Sequence, residues 1–584
     1  MAVSVTPAPI AGALRLGIAN EEVRSPSLVR LAVFERWFLR AGAFLLPLSY
    51  WWFTYDHYVL PKLLVARVLV LGLAALFIAR TALAGRLQIK RTPLDLPLLA
   101  LIASAVLSAA LGVNLNVSVF GTYARYDGVL TLSTYAALYW LATQSIAGRD
   151  EARSLLRILV ASGSVVAAIA TMQWVLGDFL GGALVIRAYG TMGNPNVLGA
   201  FLALLIPVAF GEVVAAKTAL ARVLAGNALA LMALALLLSE SRSSWIALAV
   251  AGAIAAVVGR VRPRYLLIGL GAAVVAGAAV VLAAPSLLGS DTLAGVTSLH
   301  SLWQRFSVWQ DTLNLIASRP LIGYGPDTFG LVYPQFQSGN WASYVQFDKA
   351  HSDLVQVAAT QGLVGVGAYL WLLLAFMRAF WRGRMAPGAS SLFTGWVAYQ
   401  LTVQVNFTAL AAAFPYWIFV SAALALWSRA DTSPARARPL HWPLRVALGS
   451  GLLVVGALAG PGVGMAYVAD ENLRQAVEAD IAGSAAAIGY AASARTDGPR
   501  ESVYAVEVGN VAFEGQRWEA AREAYGSAAR LGTFNPEMYR NLALADRNLG
   551  LTEESIAAAR TAVYLDRFDP ANQAILAQMQ ASGQ

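Results

Sequence analysis

The chain has 584 residues, 58% hydrophobic and 13% charged, with a formal net charge of +9. That is far too apolar for a soluble globular protein, and the absence of cysteine removes both a disulfide framework and a thiolate metal site. Most Lys and Arg residues sit in short connections between apolar runs, which orients a membrane protein and is not the pattern of a nucleic-acid-binding face.

Taken in order, the chain opens on residues 1–37, which lack the sequence of basic, apolar and small-residue regions that marks a cleavable signal and read as a cytoplasmic tail. Runs long enough to span a bilayer follow at 38–55, 62–80, 94–112, 129–147, 155–176, 195–215, 222–239, 243–260, 265–284, 352–378, 391–408, 412–428 and 443–467. The expected fold is an all-α polytopic membrane protein of about 13 transmembrane helices spanning 38–469, followed by an α-helical repeat domain.

The basic residues test that count. Arg80, Arg86, Lys90 and Arg91 fall on one side, as do Arg149, Arg153 and Arg157, then Lys217 and Arg222, then Arg260, Arg262 and Arg264. Arg378, Arg382 and Arg384 join them, with Arg429, Arg436, Arg438 and Arg445. The positive-inside rule makes this the cytoplasmic side. Loops 113–128 and 177–194, the turn SESRSS, the outer loop 285–350 and everything after residue 467 are then extracytoplasmic.

Within the outer loop, Leu302, Phe306, Trp309, Leu313 and Ile316 recur at helical spacing, which predicts an amphipathic helix lying on the membrane surface with Arg305 at the edge of its apolar stripe. Arg319-Pro320 and Gly323, Gly325 and Pro326 end that helix and turn the chain back toward the bilayer. From 470 to 584 the hydropathy falls and a 34-residue period emerges in Ala487/Ala521/Ser555, Ala494/Ala528/Ala562, Leu531/Leu565 and Pro536/Pro570. Small residues at fixed places in paired helices resemble the tetratricopeptide repeat and imply a protein partner; an Ala-rich helical hairpin domain would look similar.

Four histidines are present, His57, His300, His351 and His441. His351 stands where the outer loop enters a span, beside Asp348, Lys349 and Asp353, and its near-neutral intrinsic pKa suits a general base; a helix-capping or interfacial histidine is the plainer reading. Arg242, Arg187, Arg125 and Arg305 place four guanidiniums on the outer face with few matching carboxylates apart from Glu240, the electrostatics of a phosphate or pyrophosphate site. For Arg242 alone, snorkelling to the surface is the plainer reading. There is no P-loop, no dinucleotide fingerprint and no clustered His/Asp/Glu set with metal spacing, so neither metal nor cofactor is expected.

The stretches RAYGTMGNPNVLGAFLALLIPVA at 187–209, SESRSSWIALAV at 239–250, RFSVWQDTLNLIASRPLIGYGPDTF at 305–329 and AHSDLVQVAATQGLVGVGAYLWLLL at 350–374 together resemble the bacterial O-antigen ligase and O-antigen polymerase superfamily. The resemblance implies a multi-spanning glycosyltransferase of the inner (cytoplasmic) membrane that takes a glycan from an undecaprenyl-pyrophosphate carrier without metal and delivers it to a lipid, glycan or protein acceptor. It further implies that His351 matches that family's essential histidine, Arg305 the arginine of its loop helix, and Arg242 the arginine at the outer end of a span. Two departures stand out. Ser352 follows the histidine where the family commonly has asparagine, and the repeat tail follows an odd thirteenth span. A polymerase, a protein-glycosylating enzyme and, from another class, a transporter of lipid-linked sugar are the competing readings; a transporter is expected to show repeated membrane halves and mid-bilayer charges.

Overall fold

The computed structural model describes residues 25–177, 179, 187–258, 300–339, 346–427 and 438–582. The expected span 265–284, residues 285–299 of the outer loop and the basic residues Arg260, Arg262, Arg264, Arg429 and Arg436 lie outside them. Every other apolar run overlaps a helix, although residues 49–55 of the first lie beyond the end of its helix. In chain order these are α1 (Pro26–Leu48), α2 (Val59–Ala84), α3 (Asp95–Ala110), α4 (Leu115–Phe120), α5 (Val129–Ser145), α6 (Arg149–Leu176), α7 (Pro195–Ala215), α8 (Ala219–Leu238) and α9 (Arg242–Val258). They continue as α10 (His300–Ser318), α11 (Phe329–Val332), α12 (Asp353–Gly383), α13 (Ala389–Gln404), α14 (Leu410–Trp427) and α15 (Trp442–Ile481).

Among the described residues six helices, α2, α6, α7, α8, α12 and α14, are long and apolar enough to cross a membrane. The apolar window of α14 is 89% buried inside the bundle, whereas that of α8 is 17% buried and leaves Leu220, Val223 and Leu224 uncovered. A face so apolar is stable only where lipid replaces water. The protein is an integral membrane protein.

The basic ends are tied together by polar contacts that hydropathy cannot register. Arg40 grips Glu151 with Nε and Nη2 at 3.0 and 2.8 Å, and Glu35, 2% exposed, accepts from Ser145 and pairs with Arg80 at 3.3 Å. Those contacts let α1 begin at Pro26, inside the stretch read from sequence as a tail. A two-residue ladder pairs Arg86 with Pro439 and Leu87 with Arg438, so two of the loops expected on the cytoplasmic side do meet.

The span expected at 352–378 is not one continuous helix. It breaks at Gly362, which adopts φ +65° and ψ −167°. Into the break fits the turn that follows α10: Tyr324 and Gly325 donate backbone N–H groups to the carbonyls of Ala359 and Thr360 (3.2 and 2.9 Å), and Leu363 and Val364 donate to Pro320 and Leu321 (2.8 and 3.2 Å). Ser104 on α3 bonds Gln361 at 2.7 Å and closes the site from the bundle side. The carbonyl and amide groups freed by the break are satisfied by this turn, as burial demands.

Past the membrane, α15 runs straight through the domain boundary read at residue 470. Asp470 is fully buried, accepts the Asp56 backbone N–H at 2.9 Å and also accepts the Tyr123 hydroxyl, so the tail is joined rigidly to the loops it adjoins. The tail continues as α16 (Ala487–Asp497), α17 (Ser502–Glu514), α18 (Trp518–Leu531), α19 (Pro536–Asn548), α20 (Thr552–Leu565) and α21 (Pro570–Ser582). The starts of α17, α19 and α21 are 34 residues apart, as are those of α18 and α20. Ala487, Ala494, Ala521, Ala528, Ser555 and Ala562 are all buried between helices, where larger side chains would push them apart. The tail also lies against the loops at its end of the bundle. Asn116 donates to the carbonyls of Arg500 and Leu531 (3.0 and 3.2 Å), Tyr564 donates to that of Leu331 (3.2 Å), and Arg567 donates to that of Gln337.

A Cβ at Gly362 would run into the Leu321 carbonyl as well as straining φ. Gly362→Ala should therefore cost more than about 1 kcal/mol, read as a lowered melting temperature in detergent. An unchanged melting temperature would mean that the turn is not seated in the break.

Candidate active site

Five segments converge at the end of the bundle where the tail docks: the 121–128 loop, residues 187–194, the turn before α9, helix α10, and residues 346–352. Glu240 enters the left-handed region (φ +50°), and this sharp turn sets Arg242 at the first position of α9. Arg187 braces the turn. Its Nε donates to the Ser239 carbonyl at 3.0 Å, and its Nη2 donates to the Glu240 carbonyl and the Asn196 side chain at 3.3 and 3.2 Å. Burial pushes the Glu240 carboxyl above its ordinary range although Arg187 and Arg242 pull it down.

Helix α10 buries Val308, Thr312 and Leu315 against the protein and leaves Trp303, Phe306 and Leu313 more than half exposed. That apolar outer face is what a helix lying in the membrane surface presents. Arg305 sits between the two faces, and among the described residues no carboxylate pairs with it. Burial, then Arg242 and Arg187, hold its guanidinium below the usual value, so the three cations share one field.

His351 follows α10 across the cleft. Trp309 of α10 donates its indole N–H to the Ala350 carbonyl at 2.8 Å, Gln356 accepts the Ala350 N–H at 2.7 Å, and Ser352 caps α12 through the Val355 N–H. The histidine itself is in the left-handed region (φ +53°) with its ring edge-on to Phe347 and Phe407, at centroid distances of 6.0 and 5.5 Å. Among the described residues its Nδ1 is buried without a hydrogen-bond partner. Burial first, then the Arg305 charge, push its pKa down to about 4; Asp348 works the other way. Burial and the Arg305 charge both favour the neutral imidazole over the imidazolium.

Arg125 departs from the expectation of four unmatched guanidiniums. Its Nε pairs with Asp348 and its guanidinium lies over Phe407 at 5.0 Å. It flanks His351 as one half of an ion pair, whereas Arg187 and Arg242 act on both Glu240 and Arg305. Lys349 binds Asp127 and Asp327 nearby, at 2.7 and 2.6 Å.

Residues 405–409, between α13 and α14, also serve this site and were not singled out from sequence. Asn406 donates to Ser243 at 3.4 Å, Phe407 packs on both His351 and Arg125, and Thr408 binds Asp353 through its backbone N–H at 2.7 Å. Their signal was the polar break Gln404–Thr408 inside an otherwise apolar stretch, which a run-length reading absorbs into a span.

Fold and site thus define a polytopic helical membrane protein with three neighbouring arginines and a buried histidine at one end of the bundle. Residues 227–370, about a quarter of the chain, match the family described as O-antigen ligase. The match takes in Arg242, Arg305 and His351, and it supports glycan transfer of the ligase or polymerase type. No curated protein matches the chain.

If Arg305 sets the His351 field, Arg305→Gln should move the His351 titration upward from about 4 toward the ordinary histidine value, because a positive neighbour disfavours the imidazolium and its removal favours it. Histidine-selective NMR titration of parent and variant checks this. An unmoved midpoint would detach Arg305 from His351.

Proposed function

We propose that the protein transfers a glycan from an undecaprenyl-pyrophosphate carrier to an acceptor hydroxyl at the outer face of the cytoplasmic membrane, with ligase-like use of a separate acceptor. The observation that carries the reading is the adjacency of the buried His351 to Arg305, which in turn feels the charges of Arg242 and Arg187. A pyrophosphate leaving group needs its developing negative charge neutralised, and fixed guanidiniums in a partly dehydrated cleft do this without reorganising. Arg242 and Arg305 reach the pyrophosphate directly. Arg187 contributes charge and holds the turn that carries Arg242, and Arg125 orients the His351 segment through Asp348.

His351 takes the proton of the acceptor hydroxyl as that oxygen attacks the anomeric carbon. The C–O bond to pyrophosphate breaks on the opposite side, its electron pair leaves with the phosphate oxygen, and the anomeric centre inverts. The cations supply the charge, so no metal is assigned a role. Binding of the dianionic donor opposes the field of Arg305 and raises the histidine's basicity when the base is needed.

The tail, read as tetratricopeptide-like repeats outside the membrane, bonds the carbonyls of Leu331 and Gln337, in the segment between α10 and His351. It serves to dock a protein partner or a polypeptide acceptor.

Purified protein given undecaprenyl-pyrophosphate glycan alone should form no new glycoside and should turn over once a lipid or protein acceptor is added. Lengthened carrier-linked chains from donor alone would instead show a polymerase, and donor movement across vesicles without product would show a transporter. His351→Ala should lower turnover by about 10²–10⁴ with donor binding kept. Arg242→Lys and Arg305→Lys should each be poor replacements, since an ammonium cannot reproduce the planar fork; parent-like rates in both would reduce the arginines to steering charges.

A further inference from the structure

The transfer step does not use Lys349, yet this lysine lies beside it, held between two carboxylates. Only 3% exposed, its ammonium lies 2.7 Å from Asp127 Oδ2 and 2.6 Å from Asp327 Oδ1. The two carboxylates arrive from segments far apart in sequence, Asp127 from the loop before α5 and Asp327 from the turn before α11. Asp327 reaches further with its other oxygen, which accepts the backbone N–H and the hydroxyl of Thr122 at 2.6 and 2.9 Å. One residue before the lysine, Asp348 takes Arg125 of the same 121–128 loop. Two backbone positions here, Asp327 and His351, have left-handed φ of +58° and +53°, a conformation that non-glycine residues hold only when contacts around them dictate it.

A lysine held this way cannot reach substrate, because its charge is already met by carboxylates in a dry setting. Nor does an ion triad offer stability that apolar packing would not, since buried charges gain little over well-fitted apolar residues of similar volume. What the triad supplies is geometry: three segments are held in one register, two residues from the histidine.

We propose that Lys349 is a positioning residue for glycan transfer, tying the 121–128 loop and the 323–328 turn to the segment that presents His351 to the arginine cluster. The proposal rests on the reading of His351 as the base.

Two variants test it, Lys349→Met and the charge-balanced pair Lys349→Met with Asp127→Asn, which keeps the fold from carrying an additional unpaired carboxylate. Each is assayed for binding of undecaprenyl pyrophosphate and for kcat and KM with an undecaprenyl-pyrophosphate-linked oligosaccharide at saturating acceptor. Both should bind the carrier within about threefold of the parent, because Arg187, Arg242 and Arg305 are untouched, and both should lose roughly 10²-fold in kcat, the cost of a misplaced catalytic group. A parent-like kcat in Lys349→Met overturns the proposal. So does recovery of kcat in the paired variant, which would leave charge balance as the whole role, and so does parallel loss of carrier binding in both, which would make Lys349 a general fold residue. His351→Ala, run alongside, separates the two claims: if it keeps parent turnover the base reading itself falls, whereas a dead His351→Ala with an active Lys349→Met sinks only the role given to Lys349.

Discussion

The structure around the cleft depends on one constraint, the requirement that backbone groups exposed by the break at Gly362 find partners at the edge of a membrane. The turn at 320–325 meets it with four backbone hydrogen bonds to residues 359–364. That pairing fixes where α10 ends and hence where Arg305 stands. It also fixes the start of α12, and so the place at which Ser352 caps the helix and His351 leaves it. One glycine that accepts φ +65° therefore sets the separation between the cation on the surface helix and the histidine facing it.

Charge is then distributed unevenly about His351. Among the described residues, Arg187, Arg242 and Arg305 gather near Glu240, while Asp127, Asp327 and Asp348 gather with Lys349 and Arg125. The histidine sits at the seam, with aromatic rings and not a carboxylate against its own ring. Such surroundings favour the neutral imidazole, and under the proposed function an anionic donor would make it more basic. Steric and electrostatic roles are thus divided: rings and backbone hold the imidazole, and charges decide its proton.

Much of this was legible in the sequence, for identifiable reasons. Apolar runs this long announce helices because each helix satisfies its own backbone in a bilayer, and twelve of the expected runs overlap helices among the described residues, six of them long and apolar enough to cross a membrane. The 34-residue spacing of small residues was legible because close helix packing admits little else at those positions. The converging arginines could be found because each stands in a loop assigned to one face by the basic residues of the other. What stayed hidden depends on contacts between distant segments. Nothing local distinguishes Gly362 from Gly365 or Gly367, and the break at the first exists because residues 320–325 fill it. Arg125 looked unmatched because Asp348, its partner, is 223 residues away. The Asn406–Phe407–Thr408 corner was swallowed by apolar neighbours, and α15 crosses the boundary at 470 because Asp470 is satisfied by Asp56 and Tyr123, from the other end of the chain.

The central claim is direct displacement of a lipid pyrophosphate by an acceptor oxygen deprotonated at His351. It is tested most directly by the stereochemistry of a single turnover, with a donor of defined anomeric configuration and the product's anomeric proton read by NMR. The account predicts a product wholly of the opposite configuration, as one in-line displacement requires. Retention would contradict it, because two displacements and a covalent glycosyl-enzyme would then have to pass through the cleft.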